Sequence, residues 1–245
     1  EVYRFLRDEI ESPRMQFIPI VEPKVFRTVA PQHWDPDSMP LLGSPEARPG
    51  TPDSVVEDWC VDPDDFGEFL CAVFDEWYDH DLGRIYVHYF EAAVETWMGR
   101  VNPLCTHGPM CGKGLAMEQD GNVYACDHYV YPEYLRGNIH ERPIVEMALS
   151  PEQERFGTDK ERMLPRYCRE CSYQFACFGE CPKNRFIRTP DDEPGLNYLC
   201  SGWKRFYSHA DERIRKIVRD IGGTVSIPAT DGVVRVDWAE LEGDK

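Results

Sequence analysis

Hydrophobic and polar positions along the first hundred residues switch between two periods. Arg4, Phe5, Leu6 and Ile10 read as a helix already in progress, and Met15 to Val21 is a short apolar run that predicts a buried strand, with Pro19 tolerated near an end or edge. Residues 30–54 break the pattern. Pro31, Pro36, Pro40, Pro45, Pro49 and Pro52 stand among Asp, Ser and Gly, which predicts a long irregular loop of the kind that forms insertions or lids. Asp62-Pro63 then opens a helix, a capping side chain followed by Pro at the first helical position, and Phe66, Phe69, Leu70, Val73, Phe74 and Trp77 share one face. Residues 84–90 predict the next strand and residues 92–97 a short helix, so residues 1–100 alternate strand and helix and favour a parallel sheet, open or closed.

After Gly99 cysteines, glycines and short elements replace the long amphipathic pattern, which predicts a domain boundary near residue 101. Residues 115–118 and 123–126 flank Gln119-Asp120-Gly121-Asn122 and predict a β-hairpin. A closing helix is predicted from about Trp203 to Arg219, with Phe206, Tyr207, Ala210, Ile214, Ile217 and Val218 as its apolar stripe. Residues 223–245 are acidic, lack strong periodicity and carry no visible chemistry.

Composition narrows the function classes. The 245 residues, 42% of them hydrophobic, suffice for one large or two modest domains. Lys and Arg number 27 against 44 Asp and Glu, a formal charge of -17, which argues against a nucleic-acid or anionic-membrane partner held by a basic surface. No run approaches the roughly 20 apolar residues that span a bilayer, and no apolar signal segment is visible, so a reducing cytoplasm is expected. The sequence opens Glu-Val-Tyr-Arg, inside a helix and without an initiator Met, which predicts a chain that continues upstream.

Ten cysteines change the picture most. Eight of them, Cys105, Cys111, Cys126, Cys168, Cys171, Cys177, Cys181 and Cys200, fall in the second part of the chain, and eight thiolates are what two four-cysteine metal sites require. Cys60 and Cys71 lie outside this stretch and read as small buried hydrophobes. In a reducing compartment such clusters are metal ligands or redox thiols, with four disulfides as the extracellular alternative. Only sulfur ligands cluster here, which leans toward soft metals, yet two zinc sites and two iron-sulfur sites both satisfy the spacing. Five cysteines between residues 168 and 200 are one too many for one site, and Cys105, Cys111 and Cys126 are one too few, so the simplest count has one cysteine of the second group crossing over to complete the first.

The same residues resemble the anaerobic sulfatase-maturating enzymes, radical S-adenosylmethionine proteins with a C-terminal SPASM domain. The resemblance is carried by Cys105-Thr-His-Gly-Pro-Met-Cys111-Gly, by Tyr124-Ala-Cys126-Asp127-His128-Tyr129-Val130, by Gly137-Asn138-Ile139 and by Gln153-x2-Phe156-Gly157-x2-Lys160. It continues through Cys168 to Cys181-Pro-Lys-Asn-Arg185-Phe186 and Gly195-Leu-Asn-Tyr-Leu-Cys200, and reaches back through residues 69–97.

The resemblance implies an α/β partial (β/α) barrel fragment over residues 1–100, followed by a small α+β SPASM iron-sulfur domain over residues 101–222 and the acidic tail. It implies two auxiliary 4Fe-4S clusters, one on Cys105, Cys111, Cys126 and Cys181 and the other on Cys168, Cys171, Cys177 and Cys200. S-adenosylmethionine and a third 4Fe-4S cluster are expected only in a full-length protein, because the family's radical-generating Cys-x3-Cys-x2-Cys does not occur in this sequence; after Cys177 and Cys181 the required position is Asn184. The implied reaction is oxidation of a Cys or Ser in a sulfatase polypeptide, within a Cys/Ser-x-Pro-x-Arg segment, to formylglycine, with a flavodoxin or ferredoxin as reductant. This chain alone is then expected to be inactive.

Asp127 is the implied base. A neighbouring anionic cluster should raise its pKa, although an Asp at that place also reads as the cap of a turn. His107 and His128 flank ligands and could donate hydrogen bonds to sulfur, although isolated histidines are more often ordinary polar groups, while Lys183 and Arg185 either neutralise cluster charge or face solvent. Another SPASM peptide-modifying enzyme and a non-catalytic iron-sulfur or zinc-binding module are the alternatives.

Overall fold

The structure is a computed structural model that describes residues 1–27 and 29–226. The acidic tail expected over residues 223–245 therefore lies almost wholly outside the described residues.

Helix α1 (Val2–Asp8) is held against the chain that follows by charge: Arg7 Nη1 donates to Glu76 at 2.8 Å and to Asp81 at 2.9 Å, and the Tyr3 hydroxyl donates to buried Asp81 at 2.9 Å. Strand β1 (Arg14–Met15) is only the start of the apolar run predicted from Met15 to Val21. Beyond it the chain leaves the sheet, and Ile18 and Ile20 are 71% and 59% exposed. Pro19 between them lacks the N–H that a ladder would need.

Helix α2 (Pro63–His80) forms as its sequence dictates. The Asp62 carboxylate accepts from the backbone N–H of Asp64 and Asp65, and Phe66, Leu70, Val73, Phe74 and Trp77 are buried along one side. The helix returns the chain to strand β2 (Tyr86–Val87), which pairs in parallel with β1, Arg14 opposite Tyr86 and Met15 opposite Val87. This strand–helix–strand unit is the parallel element that alternation predicted. It does not close into a barrel among the described residues.

The strand predicted over residues 84–90 is shorter than expected, because helix α3 (His88–Trp97) begins inside it. Phe90, Ala93, Val94 and Trp97 recur at helical spacing and are all buried, so the 3.6-residue period that continues past residue 90 decides the conformation of His88 and Tyr89.

Residues 30–54 are irregular as predicted, built from short 3-10 turns at Pro31–His33, Pro36–Ser38 and Pro45–Ala47. They do not hang free. Trp34 is buried and stacks on Phe186 at 5.4 Å, and Pro31, Gln32 and Met39 form one wall of a cavity of about 490 Å³.

The second part of the chain holds a three-stranded antiparallel sheet, β3 (Ala116–Met117), β4 (Asn122–Tyr124) and β5 (Leu135–Asn138). The first two strands are the predicted hairpin, with Gly121 at φ 84° in its turn, a left-handed conformation that costs glycine little. Short helices α4 (Ile144–Ala148), α5 (Pro151–Arg162), α6 (Arg166–Arg169) and α7 (Gln174–Cys177) follow. A small pair, β6 (Ile187–Arg188) and β7 (Pro194–Leu196), precedes the long closing helix α8 (Cys200–Asp220).

The change of texture at residue 101 does not divide the apolar core. Helix α8 lies on α2, and the Phe206 ring packs 5.8 Å from Phe74 and 5.5 Å from Phe90. The approach is close because both helices present glycine: a Cβ added at Gly202 would stand 2.3 Å from the Pro63 carbonyl oxygen, and one at Gly67 would stand 2.8 Å from the Gly202 Cα. Burying each such Phe contributes about 1.5–3 kcal/mol. The core thus fixes where α8, and Cys200 at its start, sit relative to the first hundred residues. No helix among the described residues is long and apolar enough to cross a membrane.

Candidate metal centres

All ten cysteines are free thiols. Of the eight in the second part of the chain, seven are delivered by turns and element ends, where short loops can converge, and Cys168 by the four-residue helix α6. Cys105 sits in a turn in which the Leu104 carbonyl accepts from the N–H of His107 and Gly108 at 2.9 and 2.8 Å. Cys126 follows β4, and Cys181 caps the 3-10 turn Pro182–Asn184.

Electrostatics sort them into two sets. Cys111 is charge-coupled to Cys105, Cys126 to Cys111, and Cys181 to Cys111. Cys177 is coupled to Cys200, Cys168 and Cys171, and Cys200 to Cys168 and Cys171. These last four also line a single small cavity walled by Tyr173, Trp203 and Tyr207. The first set draws Cys181 from the segment that otherwise supplies the second, so the two sets interleave along the chain.

Burial pushes most of these thiols up. Cys126 and Cys200 rise to about 12, Cys168 to about 11, and Cys177 and Cys181 well above the usual value. Anionic sulfur is disfavoured in these pockets unless a cation accompanies it, and a bound metal supplies that charge and expels the protons. Two converging groups of four free thiols without disulfides, most of them partly or fully shielded from solvent and Cys105 exposed, are a donor set that fits soft metal centres.

Helix α5 contributes no thiol, yet it organises the first set through residues four and three apart on one face. Gln153 Nε2 donates to the carbonyls of Gly112 at 2.8 Å and Ala125 at 2.9 Å, each next to a cysteine, and its Oε1 accepts from Arg136 at 2.8 Å. The Gly157 carbonyl accepts from the Cys111 N–H at 3.1 Å. Lys160 Nζ donates to the carbonyls of Cys105 at 2.6 Å and Thr106 at 2.7 Å.

Gly157 is required by that closeness, since a Cβ there would stand 2.7 Å from the Cys111 carbonyl oxygen. Gly157→Ala is expected to cost about 1–3 kcal/mol of overpacking against about 1 kcal/mol of regained helix propensity. The expected result is a melting temperature lower by a few degrees, whereas Gly114→Ala, which meets nothing within 4 Å, leaves it unchanged. Equal melting curves for the two variants would show that the contact relaxes freely.

Asp127 is exposed, beside Cys126, and its Oδ1 accepts from the Cys126 thiol at 3.0 Å and from the His128 N–H at 3.1 Å. The thiol bond holds the carboxyl below its usual range, the opposite of the rise expected from an anionic neighbour. The reason is the proton on Cys126 in this thiol form, which makes that neighbour a donor rather than a repelling charge. Donor atoms of Cys126, Asp127 and His128 lie within 4.8 Å of one another, and His128 Nδ1 is 3.3 Å from Cys181 Sγ. His128 is therefore set against sulfur, the first of the two readings its place beside a ligand allowed, and the sulfur it meets is that of Cys181.

His107 is a core residue. Its imidazole is pushed down to about 3 by burial, its Nδ1 meets the Thr106 hydroxyl at 2.9 Å, and its ring packs 4.3 Å from Trp203. Lys183 pairs with Glu22 at 3.6 Å near the surface. Arg185 is buried and faces no solvent. Cys60 and Cys71 are buried away from both sets, Cys60 Sγ accepting from the Glu22 N–H at 3.0 Å.

A family profile described as SPASM, iron-sulfur cluster-binding domain, matches residues 105–172. A serine-type anaerobic sulfatase-maturating enzyme from Bacteroides thetaiotaomicron is 44% identical over 85% of this chain and 47% of its own length. The chain is a homologue of these enzymes, matched over about half of their length. A cysteine-type member from Clostridium perfringens is 28% identical over 66% of this chain and 44% of its own length. Among solved structures, native anSMEcpe with bound AdoMet and Cp18Cys peptide superposes with a TM-score of 0.68 at 25% identity, over 90% of this chain and 54% of that one. The chain spans about half the length of the curated relatives it matches. The profile match begins at Cys105, the first thiol of the first set.

Proposed function

We propose that this chain is the auxiliary-cluster portion of a radical S-adenosylmethionine enzyme that oxidises a Cys or Ser side chain of a sulfatase to formylglycine in the cytoplasm. The observation that carries the reading is the pairing of two interleaved four-thiol sets with an exposed carboxylate, Asp127, directly beside one of them. The higher identity to a serine-type than to a cysteine-type relative supports a Ser target.

In this reading Cys105, Cys111, Cys126 and Cys181 hold one centre and Cys168, Cys171, Cys177 and Cys200 the other. When bound, two 4Fe-4S clusters supply acceptors for the electron that must leave the substrate after a hydrogen atom is removed from its Cβ. The residues of this chain do the rest. Asp127 Oδ takes the hydroxyl or thiol proton of the substrate, a step its exposure permits. The walls of Tyr173, Trp203 and Tyr207 keep water from the second centre, and α5 fixes the backbone of the first. Hydrogen-atom removal belongs to a Cys-x3-Cys-x2-Cys segment, absent from this sequence, so the chain by itself is expected to leave S-adenosylmethionine uncleaved. A flavodoxin or ferredoxin is the proposed electron partner.

The test is iron, acid-labile sulfide and zinc per chain after anaerobic purification and reconstitution, with visible spectra before and after reduction. About eight iron and eight sulfide are expected, with a colour that bleaches on reduction. About two zinc without sulfide or colour would reduce the domain to a structural module.

A further inference from the structure

Three charged side chains, Lys160, Glu180 and Arg185, are buried beside the thiol sets, and their reach is unequal. Lys160 is 1% exposed, and its ammonium, bonded to the carbonyls of Cys105 and Thr106, acts on the thiols of Cys111 and Cys181, both in the first set. Arg185 donates to the carbonyls of Phe178, Gly179, Glu180 and Lys160 at 2.7, 2.9, 3.3 and 2.6 Å, and its charge acts on Cys111 of the first set and Cys168 of the second. It thereby pins a turn in which Phe178, Gly179 and Glu180 all have positive φ (44°, 66° and 49°), the turn that joins Cys177 of one set to Cys181 of the other. Glu180 is buried in that turn, its Oε2 accepting from Asn184 at 3.1 Å and Asn197 at 2.7 Å, and it too acts on a thiol of each set, Cys177 and Cys181.

The second set has its own cation, Lys204, which acts on Cys171 and Cys200. Lys204 is exposed, however, with its Nζ 3.3 Å from the Tyr167 hydroxyl. An exposed charge is screened by water and salt, while a buried one at the same distance is screened much less. Arg185 and Glu180 shift both sets together and so cannot separate them. Lys160 can.

Reduction adds one negative charge to a cluster, and a buried cation alongside favours that added charge. We propose that Lys160 is a positioning residue that raises the reduction potential of the centre held by Cys105, Cys111, Cys126 and Cys181 and leaves the other centre unmoved. The proposal rests on the two-cluster reading above. The role is electrostatic, exerted through the ligand loop that the ammonium grips, and it gives two centres with the same four-thiolate donor set different affinities for an electron.

The experiment is a redox titration followed by electron paramagnetic resonance on the reconstituted protein, after iron and sulfide have been counted. A Cys168→Ala variant assigns which signal belongs to which centre. In Lys160→Met, which keeps length and removes charge, iron is retained and reduction of the first centre becomes about tenfold less favourable, 59 mV for a one-electron couple, with the second centre unchanged. Lys160→Arg restores the potential, and Lys204→Met moves only the second centre, by less. An unshifted first centre, equal shifts of both centres, or iron lost from Lys160→Met and Lys160→Arg alike would overturn the proposal, the last by making Lys160 a strut only. Absence of sulfide in the unmodified protein would instead defeat the two-cluster reading beneath it.

Discussion

Cys181→Ala is expected to halve the iron and sulfide of the reconstituted protein, from about eight of each to about four, and to leave the signal of the other centre in place. Cys181 is buried, and it is the thiol that the segment from residue 168 to 200 contributes to the set begun by Cys105, Cys111 and Cys126. Its backbone is held independently of any metal, with its carbonyl accepting from Asn184 N–H at 3.0 Å and Asn197 Nδ2 at 3.2 Å, so alanine keeps the turn and removes the sulfur. Because metal binding to a site absent from the unfolded chain is also folding free energy, the melting temperature should fall with the iron. The effect exceeds that of a cavity, since the lost centre ties together two segments some fifty residues apart. Cys200→Ala should also leave about four iron, but with the opposite signal surviving. Loss of all iron from either variant, or the same surviving signal in both, would mean that the two sets are not the ones inferred from their couplings.

In the full-length enzyme, Asp127→Asn is expected to lower formylglycine production about 10²–10⁴-fold, the usual range for removing a general base, or roughly 3–5 kcal/mol of barrier. Asparagine is isosteric and still accepts from the His128 N–H, so the turn and the iron content should stay as they are. Cleavage of S-adenosylmethionine should continue without matching product, because hydrogen-atom removal does not depend on the carboxylate. The comparison that decides is product formed against deoxyadenosine released. Unchanged coupling would leave Asp127 as the cap of the turn after β4 and nothing more.

Much of this site is legible in the sequence because it is local. A capping Asp62 before Pro63, the apolar faces of α2 and α8 and the hairpin around Gly121 are all encoded by spacings no longer than a helix, and the eight cysteines are legible by their count alone. The strand predicted over residues 84–90 is cut short to Tyr86–Val87 for a related reason: short apolar runs satisfy both periods, and only the continuation through Ala93, Val94 and Trp97 favours the helix from His88 on.

What the sequence by itself determined is the number and spacing of the thiols and the helices and hairpin among which they fall. The tertiary structure decided what lies around them. It buried Arg185 while leaving its neighbour Lys183 near the surface, turned His128 toward the Cys181 sulfur, and brought Gln153, Gly157 and Lys160 against loops from about thirty to fifty-five residues away. Those choices are set by long-range packing, above all α8 on α2 and α5 on the cysteine loops. A charge or amide in a linear sequence carries no mark of the pocket that will surround it, because its desolvation and its partners exist only once distant segments have packed together.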